Sequence, residues 1–202
     1  ILLKEKHGGK IIAITVGEQK VEPVIRKALA IGADEAIRIN HTPKDSYTTA
    51  YHIAEYLKSN SYDLIITGRE SIDYNGGAVG GMVAEFLSLP FINACNGLNF
   101  SDGIAQITRE IDGGKEKLSA KLPLIIGGQK GLVQESELRI PNMRGIMQAR
   151  TKPLSIIEPS NIETLSTSVK FEKPAEKGAC KLVSSDNVGE LVSLLQNEAK
   201  VI

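Results

Sequence analysis

The chain has no tryptophan, only two cysteines and three histidines, and no surplus of either charge. Each scarcity excludes something. Cys95 and Cys180 lie far apart, with no partner histidine or cysteine at metal-ligand spacing. Neither a zinc site nor a disulfide framework is expected, and a reducing compartment is the natural setting. The balance of 24 basic and 24 acidic residues argues against a protein that binds nucleic acid through its field. No apolar run approaches the roughly 20 residues needed to span a bilayer. There is no Gly-x-Ser-x-Gly elbow, and His7, His41 and His52 fall near helix ends or loops, where solvated surface side chains are expected. Glu110 and Asp112 flank a hairpin turn, and Asp112 reads as turn chemistry rather than as half of an acid–base pair. Neither a hydrolase nor a metalloenzyme is indicated, and the chain's own side chains are not expected to make or break bonds. What is present is a 202-residue chain that is 42% hydrophobic, enough for one α/β domain with an appendage.

The hydrophobic pattern alternates between two periods. Lys10 to Val16, Ala36 to Ile39 and Asp63 to Thr67 are short β-branched runs of the kind found in buried parallel strands. Between and after them, Gln19 to Ile31, Ser46 to Leu57 and Gly80 to Leu87 carry apolar residues at helical spacing. This rhythm predicts an α/β fold, with an open, mostly parallel sheet in three layers. Phe91 to Phe100, Ile104 to Glu110, Glu116 to Leu122 and Leu124 to Ile126 then read as strands. Turns at Ser101-Asp102-Gly103 and Asp112-Gly113-Gly114 separate the first three, which predicts an antiparallel extension. Ile1 to Gly9 reads as the end of a helix closed by Gly-Gly, so an N-terminal segment is expected to precede it. The compact domain is placed at 1–158 and a C-terminal arm at 159–202. The arm is polar, with an amphipathic helix from Val188 to Leu195 that must cover its stripe against its own domain or a partner.

Two segments stand out as candidate sites. The first is Gly68-Arg69-Glu70-Ser71-Ile72-Asp73-Tyr74-Asn75-Gly76-Gly77-Ala78-Val79, running from a strand's carboxyl end into a helix. In an open parallel sheet ligands bind there, and exposed N–H groups at a helix start favour phosphate. The loop matches neither a Walker A sequence nor a Gly-x-Gly-x-x-Gly fingerprint. It reads as a nucleotide or phosphate site, or as a glycine-rich connection that lets the helix pack. The second is Gly127 to Arg150, long for a connection and basic around Met143, Ile146 and Met147. Met143, beside Pro141-Asn142, is expected to be exposed, whereas Ile146 and Met147 are expected on a short helix packed against the sheet.

The same residues carry a family likeness. Lys27-Ala28-Leu29-Ala30-Ile31-Gly32-Ala33-Asp34, Asp63 to Gly81, Arg109-Glu110-Ile111-Asp112-Gly113-Gly114, Lys121-Leu122-Pro123 and Arg139 to Met147 occur in the order seen in the beta subunit of electron transfer flavoproteins, which the chain resembles. The resemblance implies a heterodimer with an alpha subunit and one FAD shared with it. Electrons would come from acyl-CoA dehydrogenases or similar donors and pass to a membrane-bound quinone oxidoreductase. It implies a structural AMP, or in the electron-bifurcating branch a second FAD, held by Val16 and by Gly68 to Val79. It places a docking loop on Arg139, Ile140, Pro141, Asn142, Met143, Arg144, Gly145, Ile146, Met147 and Gln148, with Met143 where the family usually has an anchoring Leu. It makes Glu110 the carboxylate that pairs with an alpha-subunit Arg and orients the flavin domain, and makes the C-terminal arm a strap around alpha. The family's leading strand and its Asn-Pro loop would precede Ile1. Many members read Asn-Gln-Thr-Gly where this chain reads Gly77-Ala78-Val79-Gly80, which removes side-chain donors to phosphate. A stand-alone nucleotide-binding regulator of the stress-protein type is the remaining reading of the fold.

Overall fold

A computed structural model describes residues 1–202 as two compact units, Ile1–Ser168 and Val169–Ile202. In the first unit, β1 (Ile12–Val16), β2 (Glu35–Ile39) and β8 (Leu154–Ile157) form a parallel three-stranded sheet in the order β1-β2-β8. A five-stranded sheet has the order β3-β7-β4-β5-β6, from β3 (Leu64–Gly68), β7 (Leu124–Gly128), β4 (Phe91–Ser101), β5 (Ile104–Ile111) and β6 (Gly114–Lys121). Its β3-β7-β4 half is parallel and its β4-β5-β6 half antiparallel. The α/β class and the antiparallel extension are those the spacing predicts. The parallel strands, however, divide between two sheets, and β1 and β3 are each an edge strand of one of them.

Local chemistry explains most boundaries. Leu124, Ile125 and Ile126 of β7 are fully buried, as an unbroken apolar run between two parallel neighbours must be. Asp102 and Gly103 both have positive φ, 53° and 75°, which gives the β4–β5 hairpin a twist matching its strands. Helix α1 (Leu2–His7) stops at Gly8 and Gly9, with φ of 78° and 100°. The expected helix from Gln19 begins as a 3-10 turn (Gln19–Val21), and α2 (Glu22–Ile31) starts with Pro23 in its first turn, where proline is tolerated. Asp45 caps α3 (Ser46–Lys58), accepting the Thr48 N–H at 2.8 Å, and its other oxygen takes the N–H groups of Leu165 and Ser166. Burial alone would raise this carboxyl, but those donors and the Thr48 hydroxyl hold it down at about 2.

The core lies in three clusters. Ile25, Leu29, Ala33, Ala36 and Ala149 pack under α2. Ala50, Leu57, Val83, Ala84 and Ile125 join α3 and α4 (Ala78–Leu87) to the larger sheet. Cys95, Ala105, Ile107, Leu124 and Ile126 form a third cluster from β4, β5 and β7.

Two expectations are corrected. His52 is not a solvated surface side chain: it is 3% exposed, with its ring centroid 4.6 Å from that of His41. The two Nε2 atoms are buried without a hydrogen-bond partner. Burial, and then the neighbouring His41, lower the His52 pKa. The Ile146–Met147 segment is helical, as α5 (Met143–Ala149), but it packs on α2 rather than on a sheet. Met147 is 64% exposed, and Ala149 is the residue α5 buries. Gly145 explains the choice of neighbour, because a Cβ there would collide with the Ala30 carbonyl oxygen.

In the second unit no regular element occurs before α6 (Val188–Ser193), whose N-cap Asn187 accepts the Glu190 N–H at 3.4 Å. The helix widens into a π-helical turn (Leu194–Ala199) that ends at Lys200 with φ of 54°. Val188, Leu191 and Val192 of its apolar stripe remain exposed. No helix is long and apolar enough to cross a membrane.

Candidate functional site

The glycine-rich segment is a pinched loop between β3 and α4. Ser71 and Gly76 pair in an isolated antiparallel bridge, with the Ser71 N–H donating to the Gly76 carbonyl at 2.9 Å. The bend between them requires a left-handed residue, and Asn75, with φ of 50°, is a side chain that tolerates it. Ile72 at the tip is 99% exposed. The loop delivers the chain to Gly77, the N-cap of the ten-residue α4, and no side chain caps that helix. Its first N–H groups are therefore available to an anion. Gly80 seats the helix: a Cβ there would stand 2.7 Å from the Thr67 hydroxyl and 3.0 Å from the Phe91 ring. Gly80 thus serves the close approach of α4 to β3 and β4.

A polar chain connects this loop to Glu110. The Arg69 N–H donates to the Gly128 carbonyl at 3.0 Å, and its guanidinium donates to the Gln129 side-chain oxygen at 2.9 Å. The Gln129 amide in turn donates to the Glu110 carboxylate. Residues more than fifty positions apart thereby meet at the carboxyl ends of β3 and β7. Nothing in the residue type or spacing of Gln129 marks it in the sequence. The only hint is its position after the Gly127-Gly128 pair that ends β7.

Val16 closes β1, and no strand pairing joins it to Gly68 at the end of β3. The turn after it is held by Arg38, a buried cation whose guanidinium donates to the Gly17 carbonyl at 2.9 Å and to Asn40 at 2.8 Å. Arg38 also pairs with Glu22 at 3.1 Å. Its charge is satisfied on three sides, so its role is to hold the end of β1.

The docking candidates form one exposed surface. Ile140, Met143 and Met147 are 84%, 74% and 64% exposed. Asn142 caps α5, accepting the Gly145 N–H at 2.8 Å, and Arg139 forms a two-oxygen ion pair with Glu5. The helix is tied to α2 reciprocally. Arg26 donates to the carbonyls of Ala149 and Lys152, and Lys152 donates to those of Leu29 and Ala33 at the end of α2. The apolar residues thus project from a braced platform rather than from a loose loop.

Residues 1–162 match the electron transfer flavoprotein domain family. The electron transfer flavoprotein subunit beta of Bacillus subtilis is 38% identical over 217 residues, covering all of this chain and 83% of that protein. The subunit beta of Syntrophomonas wolfei is 35% identical over 181 residues, covering 89% of this chain and 71% of the relative. That of Dictyostelium discoideum is 32% identical over 198 residues, with 94% and 78% covered. The chain belongs to the electron transfer flavoprotein beta-subunit family. As a member it is a flavoprotein-type electron-carrier chain. The family match ends at residue 162, inside the first unit, so the glycine-rich loop, Glu110 and the α5 platform all lie within it. Val169–Ile202 lies beyond that match.

Proposed function

We propose that this electron transfer flavoprotein chain pairs with an alpha subunit, holds AMP on the Gly68–Val79 loop and shares one FAD with its partner. The observation that carries the reading is the uncapped start of α4, presented by a glycine-rich loop at the carboxyl end of a parallel strand. The donor set fits a phosphate bound by backbone. The first N–H groups of α4 and its dipole supply the attraction, while Arg69, the loop's only cation, is engaged by Gln129 and Glu70. FAD, when bound, supplies the redox chemistry. The residues of this chain hold, orient and dock. Met143, exposed at the head of α5, is the anchor on an acyl-CoA-type dehydrogenase, with Arg139 to Gln148 around it. Glu110, held by Gln129, pairs with an Arg of alpha and biases the flavin domain toward the acceptor, a quinone oxidoreductase. The apolar stripe of α6 supports the arm's role as a strap on alpha. The edges of β1 and β3 are unpaired, with Ile66 of β3 55% exposed, and each could take a further parallel strand of the kind the family's leading strand would provide.

Nucleotide analysis of the native heterodimer tests the reading. One FAD and one AMP per dimer are expected. Two FAD and no AMP would replace the structural AMP with the bifurcating arrangement, and failure to co-purify with an alpha subunit would leave a stand-alone nucleotide binder.

A further inference from the structure

The platform that presents Met143 also contains a cavity. Between α2 and α5 lies an open trough of about 490 Å³, with a floor of Pro23, Ala30, Pro141 and Ile146. Gly145 draws the two backbones together at Ala30, and the reciprocal carbonyl caps from Arg26 and Lys152 hold them there. The trough is therefore preformed, which lowers the entropy lost when something fills it. Its rim is cationic. Lys27 on α2 and Arg150 at the C-terminal cap of α5 stand without an ion-pair partner, and no carboxylate lines the trough. From Leu138 to Pro153 the chain carries Arg139, Arg144, Arg150 and Lys152 and no acidic residue. Arg139 is paired with Glu5 and Lys152 is engaged by the Leu29 and Ala33 carbonyls, so Arg144 and Arg150 are the free cations of this segment.

We infer that the α2/α5 trough is a socket for an apolar side chain carried on an acidic stretch of the electron donor. The inference rests on the carrier reading above. It makes docking reciprocal: Met143 projects into the dehydrogenase, and beside it a side chain of the dehydrogenase projects into this chain, with carboxylates meeting Lys27 and Arg150. Charge selects this occupant. A second copy of the chain would bring the same cation-only rim against itself, and like charges across an interface oppose association. An acidic donor gains steering from the rim and desolvated area from the floor.

The test uses the heterodimer with its FAD and an acyl-CoA dehydrogenase of the same organism, following flavin reduction against carrier concentration. K27E/R150E reverses the rim, Ala30→Met fills the floor, and Met143→Ala removes the projecting anchor. K27E/R150E is expected to raise the KM for the carrier about tenfold at low salt, with kcat and FAD content unchanged and with the salt dependence lost. Ala30→Met is expected to raise KM at every salt concentration. If it disturbs helix packing, FAD content and the circular dichroism spectrum will show it, and the surface pair then decides alone. Parent KM in the rim and floor variants, with a raised KM in Met143→Ala, overturns the socket and leaves the carrier reading intact. A parent heterodimer that takes no electrons from the dehydrogenase overturns the carrier reading and the socket with it. Concentration-dependent self-association that K27E/R150E abolishes assigns the trough to a second copy and also overturns the proposal.

Discussion

At the scale of single residues, the most informative positions are buried polar groups. Arg38 is buried with all its attachments accounted for, so its charge organises the ends of β1 and β2. His52 is buried with Nε2 unpartnered beside His41, and its pKa is depressed by burial first and by that neighbour second. The sign of the consequence follows. Unfolded His52 binds its proton near 6.5, whereas the folded residue resists it, so folding is favoured above that pH and loses stability as pH falls toward the depressed value. The denaturation midpoint is expected to fall between about pH 7.5 and 5.5, and in His52→Asn the fall should be smaller. Equal pH dependence in the two proteins, measured by urea unfolding, would remove His52 from the account. Neither the burial nor the pairing of these histidines was legible in the sequence. A single His on a helical stripe looks the same whether its face meets solvent or a neighbouring loop.

Among the elements, the contact that shapes the proposed docking surface is α2 against α5. Its closeness depends on Gly145, where any side chain meets the Ala30 carbonyl. Gly145→Ala is expected to destabilise the first unit by about 1–3 kcal/mol, by overpacking against backbone that cannot rotate away. Thermal unfolding checks this, and an unchanged Tm would mean that the helices part easily there. The strands and helices themselves were largely readable. Val, Ile and Leu runs of strand length, glycine stops and Asp-Gly turns act locally, so Leu124–Gly128, Ser46–Lys58 and the β4–β5 hairpin follow from nearby residues. β8 was not predicted, because Leu154–Ile157 is short and becomes a strand by pairing with β2, more than one hundred residues earlier. The packing of α5 on α2 escaped for the same reason: an apolar stripe says that it must be covered, not by what.

For the whole molecule, the division into Ile1–Ser168 and Val169–Ile202 has a direct consequence. The stretch before α6 has no regular structure and carries Lys170, Lys177 and Lys181, none of them followed by proline. Trypsin acting on the isolated chain is expected to cut there before cutting within 1–168, and binding of an alpha subunit is expected to slow those cuts. Mass analysis of timed digests distinguishes this from cleavage spread evenly along the chain. The first unit should be left as a stable fragment, since its three core clusters all lie within it.

By itself the sequence determined the α/β class, the order of most elements and the glycine-rich start of α4, because these depend on periodicity, turn chemistry and backbone freedom over a few residues. It also determined the family, through short motifs kept in order. Only the tertiary structure decided that the parallel strands fall into two sheets with open edges at β1 and β3. It also joined Arg69 to Glu110 through Gln129, buried His52, and set a cation-rimmed trough beside Met143. Those features depend on distant segments meeting, and the initial scarcity of histidine, cysteine and net charge left them open. A balanced total says nothing of where charges gather once the chain is folded.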